Sequence, residues 1–224
     1  MTTEKINENK GRFLSILSEI DREGLSELCE WLSTTTFFED PASTKNHLAE
    51  PGGLCQHSLN VYDCLLRKAK KDPLWNNMFT KAGITCENLA IAGLLHDLCK
   101  TGTYEVDYKN VKERDEDILK TVPPRDIKQD EIGSFVWVAQ QIYKYNDENP
   151  LGHGEKSIFM ALQYIKLTTQ ELYAIRWHMG AFDAESSRLK GTLSQALEKF
   201  PLTLAIIEAD MEATFCIENE TGEC

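Results

Sequence analysis

Apolar residues recur at helical spacing along most of this chain. Phe13, Ile16, Leu17 and Ile20 follow the i, i+3, i+4, i+7 rule and predict a helix over 9–22. Gly24 interrupts the pattern and Leu25 to Leu32 resume it. Pro41, Pro51, Gly52 and Gly53 break the stretch 34–53 into loop. Leu59, Val61, Tyr62, Leu65 and Leu66 predict an amphipathic helix over 54–69, and an apolar run predicts another over 87–98, stopped at Thr101-Gly102. The period then changes. Residues 103–108 and 141–146 alternate as strands do, with charged residues and Pro123-Pro124 between them. This predicts a β-hairpin with a long polar tip over about 103–147, within which 131–140 fits helix or strand equally. Helical spacing returns over 154–167, 169–178, 193–200 and 201–215, and 219–224 reads as a frayed end. Thr168-Thr-Gln-Glu171 has the form of a capping box, and Pro201 suits a first helical turn. The expected fold class is all-α, a helical bundle carrying a β-hairpin insertion. Residues 1–43 are expected to form a helical extension packed on the core built from 44–224.

Composition narrows the function classes. The chain has 224 residues, 42% hydrophobic and 27% charged, as in ordinary globular proteins. Its net charge is -12, which repels phosphate backbones and anionic membranes at long range. Stable binding to duplex nucleic acid is therefore not expected, nor is docking on a membrane. The N-terminus is polar and lacks a signal-peptide core, and the seven cysteines are odd in number with no Cys-x-x-Cys pair. A cytoplasmic protein with reduced thiols is the expectation.

The chemistry concentrates in a few histidines and aspartates. His96 and Asp97 stand together in the apolar run Ala92-Gly-Leu-Leu-His-Asp-Leu-Cys-Lys100, where both are costly to bury unless something binds them. Imidazole and carboxylate are ligands for zinc, iron and manganese. His57 lies early in the helix predicted over 54–69, and His153 sits between Gly152 and Gly154. His178 ends a helix before Gly180, and Asp210 shares a helix face with Ile206 and Ile207. A lone histidine on a helix is more often core or surface than ligand. What raises these six above that background is their order: His, His-Asp, His, His, Asp.

In that order, with Gly52-Gly-Leu-Cys-Gln-His-Ser-Leu-Asn-Val61 and Leu94-Leu-His-Asp-Leu-Cys-Lys100 as its best-defined pieces, the chain resembles the HD-domain superfamily of metal-dependent phosphohydrolases. The likeness runs from about Thr44 to Phe215, and its two extra histidines match the two-metal branch. The resemblance implies two divalent metal ions, of Mn, Mg, Fe, Co, Ni or Zn. His57, His96, Asp97 and Asp210 would hold one and Asp97, His153 and His178 the other, with Asp97 bridging. It implies hydrolysis of a phosphoester bond in a nucleotide or related small phosphorylated substrate by a metal-bridging hydroxide. Asp97 and Lys100 would be catalytic residues.

Substrate contacts are expected from Lys100, Lys156, Arg176, Trp177 and His47. Lys100 is four residues from His96 and so shares its helix face, and Lys156 is one turn from His153. Arg176 suits a phosphate and Trp177 a base. The hairpin region 103–147 is expected to form one wall of the pocket. Alternatives on the same fold are a mixed-valent di-iron oxygenase, an exonuclease-like phosphodiesterase and a non-catalytic metal- or nucleotide-binding module.

Overall fold

A computed structural model describes residues 1–183 and 190–219, so 220–224 of the expected frayed end lie outside the described residues. The chain opens with α1 (Thr3–Ser18), capped by the Thr2 hydroxyl accepting from the Lys5 amide, and α2 (Leu25–Thr34). After a loop come α3 (Gly53–Lys71), α4 (Pro73–Ala82) and α5 (Cys86–Leu95). Sequence periodicity did not single out α4. Its stops are nonetheless local: the Asp72 carboxylate accepts from the Leu74 and Trp75 amides, Pro73 starts the helix, and Gly83 ends it at φ 67°.

α5 is buried from Asn88 to Leu95, and a helix without a polar face belongs in the interior. Two apolar clusters flank it. Phe13, Leu17, Leu28 and Leu32 join Leu54, Ile91 and Leu94, so α1 and α2 share a core with α3 and α5. On the other side, Val61, Leu65, Trp75 and Leu89 meet Ala174, Leu202 and Ile206.

β1 (Tyr104–Glu113) follows, then the short α6 (Glu116–Thr121), β2 (Lys128–Asp130) and β3 (Gly133–Tyr145). β1 pairs antiparallel with β3 from Tyr104 opposite Tyr145 to Glu113 opposite Val136, and β2 pairs with the start of β3. The undecided stretch 131–140 is thus strand from Gly133 onward, and the polar tip contains a helical turn and a third strand.

The bundle closes with α7 (His153–Ala161), α8 (Thr169–Trp177), α9 (Lys190–Lys199), α10 (Pro201–Glu212) and a π-helical turn, Ala213–Ile217. α7 is shorter than the expected 154–167, because the chain turns after Ala161 and stacks the Tyr164 ring on Trp31 with centroids 5.3 Å apart. The capping box at Thr168 and Glu171 forms, and it does more than end a helix. Glu171 is fully buried and also accepts from both terminal nitrogens of Arg22 and from Asn88 Nδ2, tying the α1–α2 turn and α5 to α8. No helix among the described residues is long and apolar enough to cross a membrane.

Gly93 sets the distance between α5 and α3. A Cβ there would come within 2.9 Å of Tyr62 Cα and 3.1 Å of its amide nitrogen. Gly93→Ala is expected to destabilise the fold by about 1–3 kcal/mol through overpacking. Gly11, exposed within α1 with nothing near its missing Cβ, is the control, and Gly11→Ala should stabilise by roughly 0.5–1 kcal/mol. Urea unfolding of both variants checks the pair; a neutral Gly93→Ala would show that the α3–α5 contact yields.

Candidate metal centre

Four segments end or begin at one point. α5 stops at Leu95, His96 keeps helical dihedrals, and Asp97 turns out of the helix at φ -106° and ψ 21°. A single 3-10 turn, Leu98–Lys100, follows. The dyad therefore straddles a helix end, and Lys100 does not share a helix face with His96. Its Nζ instead donates to Asp97 Oδ2 at 2.7 Å and to the Ala42 carbonyl at 2.9 Å. α3 brings His57, α8 ends on His178, α7 begins with His153, and α10 carries Asp210.

These side chains converge on Asp97, which is 2% exposed. Its two oxygens face different partners. Oδ2 lies 3.7 Å from His57 Nε2 and 3.5 Å from His96 Nε2. Oδ1 lies 2.8 Å from His153 Nε2 and 3.4 Å from His178 Nε2. Asp210 Oδ1 approaches His57 Nε2 at 3.2 Å and groups with His96 and His178. His57 and His96 place their Nε2 atoms 3.3 Å apart.

α7 comes this near because Gly154 lies against the backbone of α8, where a Cβ would be 2.3 Å from the Arg176 carbonyl oxygen. Gly154 thus serves helix packing. The result is a His153–His178 centroid distance of 5.2 Å.

The imidazoles are oriented from behind. His96 Nδ1 contacts the Gly93 carbonyl at 2.9 Å and His178 Nδ1 the Ile175 carbonyl at 2.8 Å. Each is a carbonyl three residues back at a helix end. A proton on Nδ1 satisfies that carbonyl and leaves the Nε2 lone pair facing Asp97. His57 Nδ1 meets both oxygens of Glu218 at 3.0 Å, and Asn60 Nδ2 donates to the same carboxylate at 2.8 Å. Glu218 escaped sequence reading because it follows a π-helical turn and lies 161 residues from its partner. Cys99 was likewise unforeseen as a neighbour: its Sγ is 3.3 Å from His153 Nδ1, and burial pushes the thiol up to about 12.

The protonation pattern follows from burial and charge. Burial pushes His96 down to about 3. Burial also opposes a charged His57, but the carboxylates of Asp210 and Glu218 outweigh it and raise that imidazole to about 10. Asp97 is held well below its ordinary value against burial, first by Lys100 and then by His96. His178 is also raised from its ordinary value, against burial, by the Asp97 carboxylate. His178 Nε2 is buried with no hydrogen-bond partner. A buried nitrogen of this kind facing a carboxylate, in a set of imidazole and carboxylate donors, fits a divalent cation. These buried groups can hold metal ions.

A cavity of about 430 Å³ opens over the cluster, lined on its inner side by His47, His57, Asp97, Lys100 and His178. Neither ring nitrogen of His47 has a hydrogen-bond partner, though Nε2 lies 4.0 Å from Glu218 Oε2, and its ring lies 5.0 Å from that of His57. The other expected substrate residues sit elsewhere. Lys156 is buried against Asp147 and borders a separate cavity. Arg176 pairs with Glu155 and Asp183 and stacks on Trp177 at 4.1 Å, and Trp177 is 2% exposed. Local ion pairs and core packing claim these three side chains. No residue of 103–147 lines the cavity over the cluster, so the hairpin is not its wall. No family model, curated protein or solved structure matches the chain.

Glu218→Ala leaves His57 Nδ1 without its carboxylate. Metal affinity is expected to fall about 10–100-fold, read by chelator competition. Unchanged affinity would show that Glu218 does not orient His57.

Proposed function

We propose that the chain is a phosphohydrolase of the HD-domain type with two divalent metal ions, acting on a small phosphorylated substrate. The observation that carries this reading is the division of the Asp97 carboxylate, with His57 and His96 beside Oδ2 and His153 and His178 beside Oδ1. One carboxylate would then serve two positions. His57, His96, Asp97 and Asp210 would hold one ion, and Asp97, His153 and His178 the other. When bound, such ions supply Lewis-acid stabilisation of phosphoryl oxygens and a water of lowered pKa.

The residues around them bind and orient. Two of the three N–H donors of Lys100 are committed to Asp97 and Ala42, which aims the third without letting the ammonium wander. A phosphoryl oxygen in the cavity would accept it. The His47 ring lines the same space, with both nitrogens buried and without hydrogen-bond partners and Nε2 4.0 Å from Glu218 Oε2. Burial, with His57 and Lys100 close by, pushes its pKa down, so the neutral ring offers one N–H donor and one acceptor to substrate. A closed, buried floor with fixed donors stabilises charge on the phosphoryl oxygens more strongly than water does.

Metal-replete protein is expected to hydrolyse a fluorogenic phosphoester, and Lys100→Ala to lower kcat/KM roughly 10²-fold with metal content retained. A protein that binds two ions and turns over no phosphoester or nucleotide would sink the proposal. Iron content with O₂ uptake would move it to oxygenation. The bridge has its own check in elemental analysis: Asp97→Ala should lose both ions, whereas His178→Ala should chiefly lose one. Loss of one ion in both variants would overturn the shared carboxylate.

A further inference from the structure

The buried polar and charged groups of the cavity over the cluster stand at its inner end, and its outer part is apolar apart from exposed Asn46 and half-buried Thr214. His57, Asp97 and His178 are at most 2% exposed, whereas Phe182, Phe215 and Met211 are 70%, 58% and 43% exposed at its mouth. Half-buried Met179 and Ile207 join the two ends. Phe182 reaches the mouth from the turn after α8, and Met211 and Phe215 from the end of α10 and the π-helical turn.

Charge is distributed just as unevenly. Lys100 is the one lysine or arginine among the described lining residues, and it stands at the inner end. Lys156 is bound to Asp147 in a different cavity and Arg176 to Glu155 and Asp183, and exposed Lys45, next to Asn46, does not line the cavity. A second or third phosphate reaching toward the mouth would meet thioether, aliphatic and phenyl surface with only the uncharged Asn46 and Thr214 among the described lining residues there, on a protein of net charge -12. Burying phosphate charge there without a partner is unfavourable. An aromatic or aliphatic group in the same place would cover exposed apolar surface and stack on Phe182 or Phe215.

We infer that this site selects a substrate with a single phosphoryl group joined to an aromatic or bulky apolar group, in preference to polyphosphates and to phosphates of small polar alcohols. The inference rests on the phosphohydrolase reading for the inner end and on Phe182, Phe215 and Met211 for the outer end.

Non-hydrolysable phosphonates separate the two. Calorimetry on metal-loaded protein would compare naphthylmethylphosphonate, dihydroxypropylphosphonate and methylphosphonate. The naphthyl compound is expected to bind about tenfold or more tightly than either of the others. In the Phe182→Ala, Phe215→Ala double variant, whose changes fall on exposed side chains, that ratio should approach one. Equal binding of the three compounds, or a preference that persists in the folded double variant, overturns the apolar selection and leaves the phosphohydrolase reading standing. Failure of all three to bind metal-loaded protein overturns both.

Discussion

A carboxylate at 2% exposure cannot stand alone, and the arrangement around Asp97 shows what its burial requires. Removing a charge from water costs several kcal/mol unless charge and hydrogen bonds are returned to it. Lys100 returns charge directly at 2.7 Å, and four imidazoles crowd the remaining lone pairs. The elements that deliver His96, His153 and His178 end or start at the same place, and His57 comes from inside α3. The termination of α5 at Leu95, the start of α7 at His153 and the end of α8 at Trp177 therefore belong to one requirement.

The delivery uses one local device twice. His96 and His178 both follow the last residue of a helix, and both spend Nδ1 on a carbonyl three residues back that the helix end leaves short of a partner. A helix terminus thus gains a hydrogen bond while the opposite nitrogen is aimed inward. His57 sits inside α3, where no such carbonyl is free, and a side chain from far along the chain does the same work. The π-helical turn after α10 brings Glu218 beneath it. π-helical turns recur at functional sites, and here the turn sets the reach of a residue that orients a candidate ligand.

What the sequence made legible divides along the same line. Helical periodicity located α1, α3, α5, α8 and α10, and the alternation at 103–108 and 141–146 located the outer parts of the long hairpin ladder. The six candidate ligands were legible from residue type and order, since apolar runs rarely contain His and Asp without a reason. α4 went unread although Asp72-Pro73 and Gly83 marked both its ends, because Trp75 and Phe79 make too short an apolar stripe to stand out. Partner choice was not legible. Lys156 lies one turn from His153, yet it pairs with Asp147; Arg176 and Trp177 adjoin His178, yet they stack on each other. Spacing along a helix says which residues share a face, but a charge settles on the nearest opposite charge in space, and Asp147 and Glu155 arrive from turns and termini that periodicity does not place.

The hairpin lies apart from the candidate site. An insertion of more than forty residues is the natural place to look for substrate recognition, but its strands stay clear of the cavity over the cluster. The wall comes from the loop that holds Asn46 and His47, from the end of α8 and the turn after it, and from α10 with its π-helical turn, and the last three of these carry or adjoin His178, Asp210 and Glu218. Ligand placement and the shape of the mouth are then mechanically joined. A change that shifts α10 would move Asp210 and Met211 together, so the donors at the inner end and the apolar surface at the outer end cannot be adjusted independently. The hairpin is under no such constraint, and the exposed Val106, Tyr108 and Trp137 on its sheet can vary without disturbing the Asp97 cluster.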